Sequence, residues 1–157
     1  MSGAARMSEE TTVELWELVA REQIRETVAR YTHAGDRGLI DELAAQFTPD
    51  GVLEIAGGAT AEGRQAIIDL LGAGVQRGIE TAPEGVKRIV RHNVSNVLIT
   101  NLTQDRGEVA SYFLVATENG PDHWGRYRDV VVPAEGRWLI AHRFVRVDAA
   151  APGSRFH

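Results

Sequence analysis

Apolar side chains recur at helical spacing through the first half of this chain and at strand spacing through the second. Leu15, Leu18, Val19, Ile24, Val28 and Tyr31 mark one helix face. Thr11 or Thr12 is placed to cap that helix, with Glu14 in its first turn. The pattern stops between Gly35 and Gly38. A second, short helix follows, with Leu39, Ile40, Leu43, Ala44 and Phe47 as its stripe, and Thr48-Pro49-Asp50-Gly51 reads as a stop and turn. Val52 to Ile55 reads as a short strand that Gly57-Gly58 turns back on itself through residues 59–62. Residues 63–76 read as a third helix burying Ile67, Ile68, Leu70, Leu71 and Val75.

The period then changes to two. Residues 87–100, 107–119, 123–133 and 137–148 are rich in β-branched and aromatic side chains, and Gly, Asn, Asp and Pro break the runs. Connections this short join antiparallel neighbours. The expectation is an α+β fold: three N-terminal helices across one face of a mixed or antiparallel sheet. Strands of 11 to 14 residues twist too strongly to stay flat, so the sheet should curve and enclose a conical pocket. Residues 11–148 would form the single domain, with 1–10 disordered and 149–157 an irregular tail.

Two polar segments interrupt these patterns. Tyr31 to Asp36 closes the first helix, and Arg91 to Asn96 opens the first long strand. Asp36 and His92 could thus face each other across the pocket, and a carboxylate that orients an imidazole makes a general base. Asp36 could instead cap the second helix. On the strand, period two puts His92, Val94, Asn96 and Leu98 on one face. In the later strands Tyr127 shares a face with Asp129. Arg143 is the one charge on an apolar face and requires a partner, with Asp129, Asp36 or an anionic substrate group available. His33 falls on another helix face and should be exposed.

Composition narrows the chemistry. The 157 residues carry a net charge of −5 with scattered basic residues, which argues against nucleic acid. No apolar run reaches membrane-spanning length and no secretory leader is visible, so the expected location is the cytoplasm. Without cysteine there is no disulfide, thiolate metal site or cysteine nucleophile. The five histidines include no metal-ligand spacing, and no phosphate-binding loop or nucleophile elbow is present.

Over about residues 12–148, the order of helix, helix, short hairpin, helix and long strands resembles the nuclear transport factor 2-like cone fold. The cues are Tyr31-x-x-x-x-Asp36, Phe47-x-x-Asp50-Gly51, His92-x-x-x-Asn96, Gly125-x-Tyr127 and Gly136-Arg137-Trp138. In this order they look like the SnoaL-like branch that includes scytalone dehydratase and the lindane dehydrochlorinase. The resemblance implies a proton-abstracting dyad at Asp36 and His92, and an assisting arginine at Arg143. Tyr31 stands where the dehydrochlorinase has lysine, which separates this chain from lindane chemistry. The expected activity is that of a lyase or isomerase needing no cofactor or metal, acting on a small hydrophobic, cyclic or polyketide-like molecule. Tyr31, Asn96, Tyr127 and Arg143 would bind the substrate. The same fold also serves non-catalytic ligand-binding or assembly modules and the small subunits of ring-hydroxylating dioxygenases. The outer face of a curved sheet needs cover, so a homodimer or homotrimer is expected.

Overall fold

The computed structural model describes residues 12–80 and 84–154. The expected disorder of residues 1–10 and the capping role of Thr11 lie outside them. Three helices, α1 (Leu15–Asp36), α2 (Ile40–Ala44) and α3 (Arg64–Glu80), accompany six strands. The strands are β1 (Phe47–Ile55), β2 (Thr60–Glu62), β3 (Val90–Thr100), β4 (Gly107–Thr117), β5 (Gly120–Ala134) and β6 (Arg137–Ala150). They form one sheet in the order β2-β1-β6-β5-β4-β3. Every pairing is antiparallel except β1 with β6, so the sheet is mixed. No helix among the described residues is long and apolar enough to cross a membrane.

The α1 helix lies over the inner face of the sheet. Ala20, Ile24, Val28 and Tyr31 are buried at helical spacing, and the Thr27 hydroxyl donates to the Trp138 carbonyl at 2.6 Å, pinning the helix to the start of β6. The first turns depart from expectation: Leu15, Leu18 and Val19 are exposed, and Glu14 occupies the N-cap without a side-chain bond, so Thr12 does not cap. In α3, Ile67 is buried but Val75 is exposed.

Three irregularities place side chains where strict alternation does not. The expected turn at Thr48 to Gly51 lies inside β1, as a register shift between Phe47 and Val52. There Gly51 packs so closely that a Cβ would stand 2.8 Å from that of Phe47, which a side chain does not permit. In β3 the register shifts between Ser95 and Leu98, with Asn96 at φ 53. His92 pairs with inward Val115, whereas the inward residues beyond the bulge are Val97 and Ile99. Asn96 and Leu98 are therefore exposed, and the shared face expected for them with His92 is corrected. A further shift opposite Val130 and Val131 lets Ile140 and Arg143 both face inward despite their odd spacing.

Candidate active site

The inner face of the sheet is built in cross-strand rows. One row is Ile99–Val109–Asp129–Arg143–Leu53, with Gly107–Val131–Ile140–Phe47 beyond it. At the opposite end is His92–Val115–His123. Tyr127 and Phe113 lie between, their rings stacked at 4.6 Å.

Asp36, the last residue of α1, reaches the end row. A carboxylate is disfavoured at a helix C-terminus, but here it accepts three hydrogen bonds from one residue. The His92 backbone N–H donates to Oδ1 at 3.1 Å and Oδ2 at 3.2 Å, and His92 Nδ1 lies 2.6 Å from Oδ1. The capping alternative does not hold, because the N-cap of α2 is Leu39 and no side chain bonds there. With the carboxylate as acceptor, Nδ1 carries the hydrogen of a neutral imidazole and Nε2 is its basic nitrogen. The side chains are 22% and 13% exposed, so the pair is sheltered yet reachable.

Deeper in, the interior is filled. Arg143 is fully buried and forms a bidentate pair with its cross-strand neighbour Asp129, through Nε at 2.8 Å and Nη2 at 2.7 Å. Its guanidinium carbon lies 4.1 Å from the ring centre of Tyr31 and 4.2 Å from that of Tyr127, so the cation is held between two aromatic rings. Burial pushes the Tyr31 and Tyr127 phenols upward, so both stay protonated at neutral pH. Burial alone would lower the Arg143 value, but the Asp129 charge and hydrogen bonds outweigh it and the group stays cationic.

Asp129 takes the Nε and Nη2 of Arg143, which is sealed from solvent, while its buried Nη1 has no hydrogen-bond partner among the described residues. Tyr31 and Tyr127 form a closed floor with it, being nearly as buried. Asn96, exposed on its bulge, is not part of this cluster. His33 is exposed as expected.

Sequence reasoning passed over His123. It pairs with Val115, on the row that holds His92, and its ring meets Phe113 edge-on at 5.9 Å. Its Nδ1 lies 2.6 Å from Asp122 Oδ2, which also accepts the Ser154 hydroxyl at 2.9 Å. The signal was present in the alternation, since His123 has the same parity as Tyr127 and Asp129. No group of three or more metal-ligating side chains occurs among the described residues. Hollows of about 320 and 370 Å³ lie elsewhere, beside the β5–β6 hairpin and on the outer face of the sheet.

The chain matches the family model described as a SnoaL-like domain over residues 16–144. A protein from Catenulispora acidiphila shares 31% identity, with 86% of this chain and 96% of that one covered and a TM-score of 0.72. A second structure from the same organism, in complex with S-DNPA, shares 31% identity over 82% and 92% of the two chains, with a TM-score of 0.66. A protein from Novosphingobium aromaticivorans DSM 12444, provisionally named a scytalone dehydratase, shares 26% identity over 87% and 89%, with a TM-score of 0.72. No curated protein matches the sequence. Because the family model spans most of the chain and the fold agrees with it, this protein belongs to the SnoaL-like domain family, with the nuclear transport factor 2-like cone fold.

Proposed function

We propose that the protein is a cofactor-independent lyase or isomerase that removes a carbon-bound proton from a small hydrophobic ketone. The observation that carries this is the 2.6 Å contact between Asp36 Oδ1 and His92 Nδ1 at the partly open end of the cone. Asp36 holds the ring in the tautomer with a basic Nε2 and stabilises the imidazolium that forms. Nε2 takes a proton α to a carbonyl, and the enolate then expels a β-substituent or is reprotonated elsewhere. The Tyr31–Arg143–Tyr127 layer limits how deep a substrate can sit, so a flat molecule held near the rim fits best. The small molecule bound to the Catenulispora relative supports a ligand in this part of the family.

The test uses 1-tetralone, a bicyclic ketone without a leaving group, in D₂O. Wild type should exchange the protons beside the carbonyl, and His92→Ala and Asp36→Asn should each lower the rate by roughly a hundredfold or more. Equal exchange in all three would sink the dyad. A tightly bound ketone that none of them exchanges would favour the non-catalytic ligand-binding module.

A further inference from the structure

The apolar stripe of α3 runs out of the core before the helix ends. Ile67, Leu71, Val75 and Ile79 follow at intervals of four, so they lie along one side of the helix. Ile67 is fully buried and Leu71 packs against the core, whereas Val75 is 36% exposed and Ile79 62%. The buried residue beyond Leu71 is Gly78, which has no side chain to anchor there. The outer half of the stripe is therefore a continuous apolar surface that the protein itself leaves uncovered.

This surface lies beside the Asp36–His92 pair. A Cβ on Gly38, two residues past Asp36, would stand 4.0 Å from Val75 Cγ1. Near the end of the helix, the Gly78 carbonyl accepts Arg88 Nη1 at 2.5 Å, and Arg88 is four residues before His92. The second half of α3 thus meets the chain next to both members of the pair.

The same stretch is weak as a helix. Gly72 and Gly74 lie inside it, where only proline is less favourable than glycine. A Cβ on either would meet no atom within 4 Å, and neither has a positive φ, so neither packing nor backbone conformation calls for glycine. Both sit between the anchored first half of α3 and its exposed end, which is where a hinge would act.

Resting on the general-base function of His92, we propose that α3 from Gly72 onward is a hinged apolar wall of the substrate site. Val75 and Ile79 close over the hydrocarbon ring of a ketone whose α-carbon lies at His92. Closure removes apolar surface of wall and ligand from water, and Arg88 latches it through the Gly78 carbonyl. Bending at Gly72 and Gly74 opens the way in and out.

The experiment follows 1-tetralone binding, its proton exchange in D₂O, and backbone amide exchange. In wild type, the amides of residues 75–80 should exchange at least about tenfold faster than those of residues 67–71. Gly72→Ala with Gly74→Ala places methyl groups in open space, so it should raise the urea midpoint. It should also slow both association and dissociation of tetralone roughly tenfold, at nearly constant Kd. Val75→Ser with Ile79→Ser should leave the urea midpoint nearly unchanged and raise the Kd roughly tenfold. Arg88→Ala should quicken amide exchange at residues 78–80. Even protection along α3, a lower midpoint in the alanine variant, or unchanged binding rates would overturn the hinge. Unchanged affinity in the serine variant would overturn the wall. Tetralone that binds wild type without exchanging protons would overturn the base and leave the wall, because the serine variant must still bind it more weakly. A wild type that does not bind tetralone would overturn both.

Discussion

Removing the Arg143 guanidinium would leave the Asp129 carboxylate fully buried with no countercharge. Breaking a buried pair in this way costs about 3–5 kcal/mol, more than deleting both charges together. Arg143→Met should therefore lower the urea midpoint strongly, and Arg143→Met combined with Asp129→Leu should be less damaging than the single change. A single mutant as stable as wild type would contradict the paired geometry. The tyrosines on either side make a pH prediction. Burial raises both phenols above their ordinary value of 10.0. Their contribution to stability is thus fully present below about pH 10 and is lost as the pH rises from there toward the folded-state values. In a Tyr112→Phe background, tyrosinate absorbance should appear only together with unfolding. Absorbance that rises while the fold persists would refute it.

At the scale of the element, the β3 bulge decides which side chains of that strand reach the interior. Period two is a property of regular pairing, and one unpaired residue resets it. Asn96 occupies the left-handed region at φ 53, where its short polar side chain is tolerated and a β-branched one is not. Asn96→Val should cost about 1–2 kcal/mol, whereas Asn96→Gly should be close to neutral, both read by urea denaturation. Equal stability of the valine and glycine variants would argue against the bulge. The sequence carries no marker here, because asparagine is also common in regular loops and strand ends. Similarly, Thr48 to Gly51 has the composition of a turn, yet the parallel pairing of β1 with β6 holds it within one strand.

For the whole molecule, the outer face of the sheet is the feature without cover. Leu98, Tyr112, Leu114 and Trp124 are exposed at 60%, 50%, 38% and 37%, and all four lie on one face, on the neighbouring strands β3, β4 and β5. An apolar surface of this kind favours self-association. Wild type should sediment as a homo-oligomer, and Leu98→Lys with Trp124→Lys should shift it toward monomer. A monomeric wild type at micromolar concentration would remove the expectation.

Periodicity alone was enough for the order of helices and strands, the α+β class and the antiparallel run from β3 to β6, because each depends on neighbours along the chain. Asp36 and His92 were likewise visible as polar residues where apolar ones were due. Tertiary structure alone decided whether they meet, since a 2.6 Å contact across 56 residues depends on how α1 lies over the sheet. It also chose Asp129 over Asp36 as the partner of Arg143 Nε and Nη2, because a cross-strand neighbour can supply both oxygens to a buried fork. Finally, it brought Ser154 to Asp122. That contact forms only when β6 pairs fully with β5 and the chain turns back at its end.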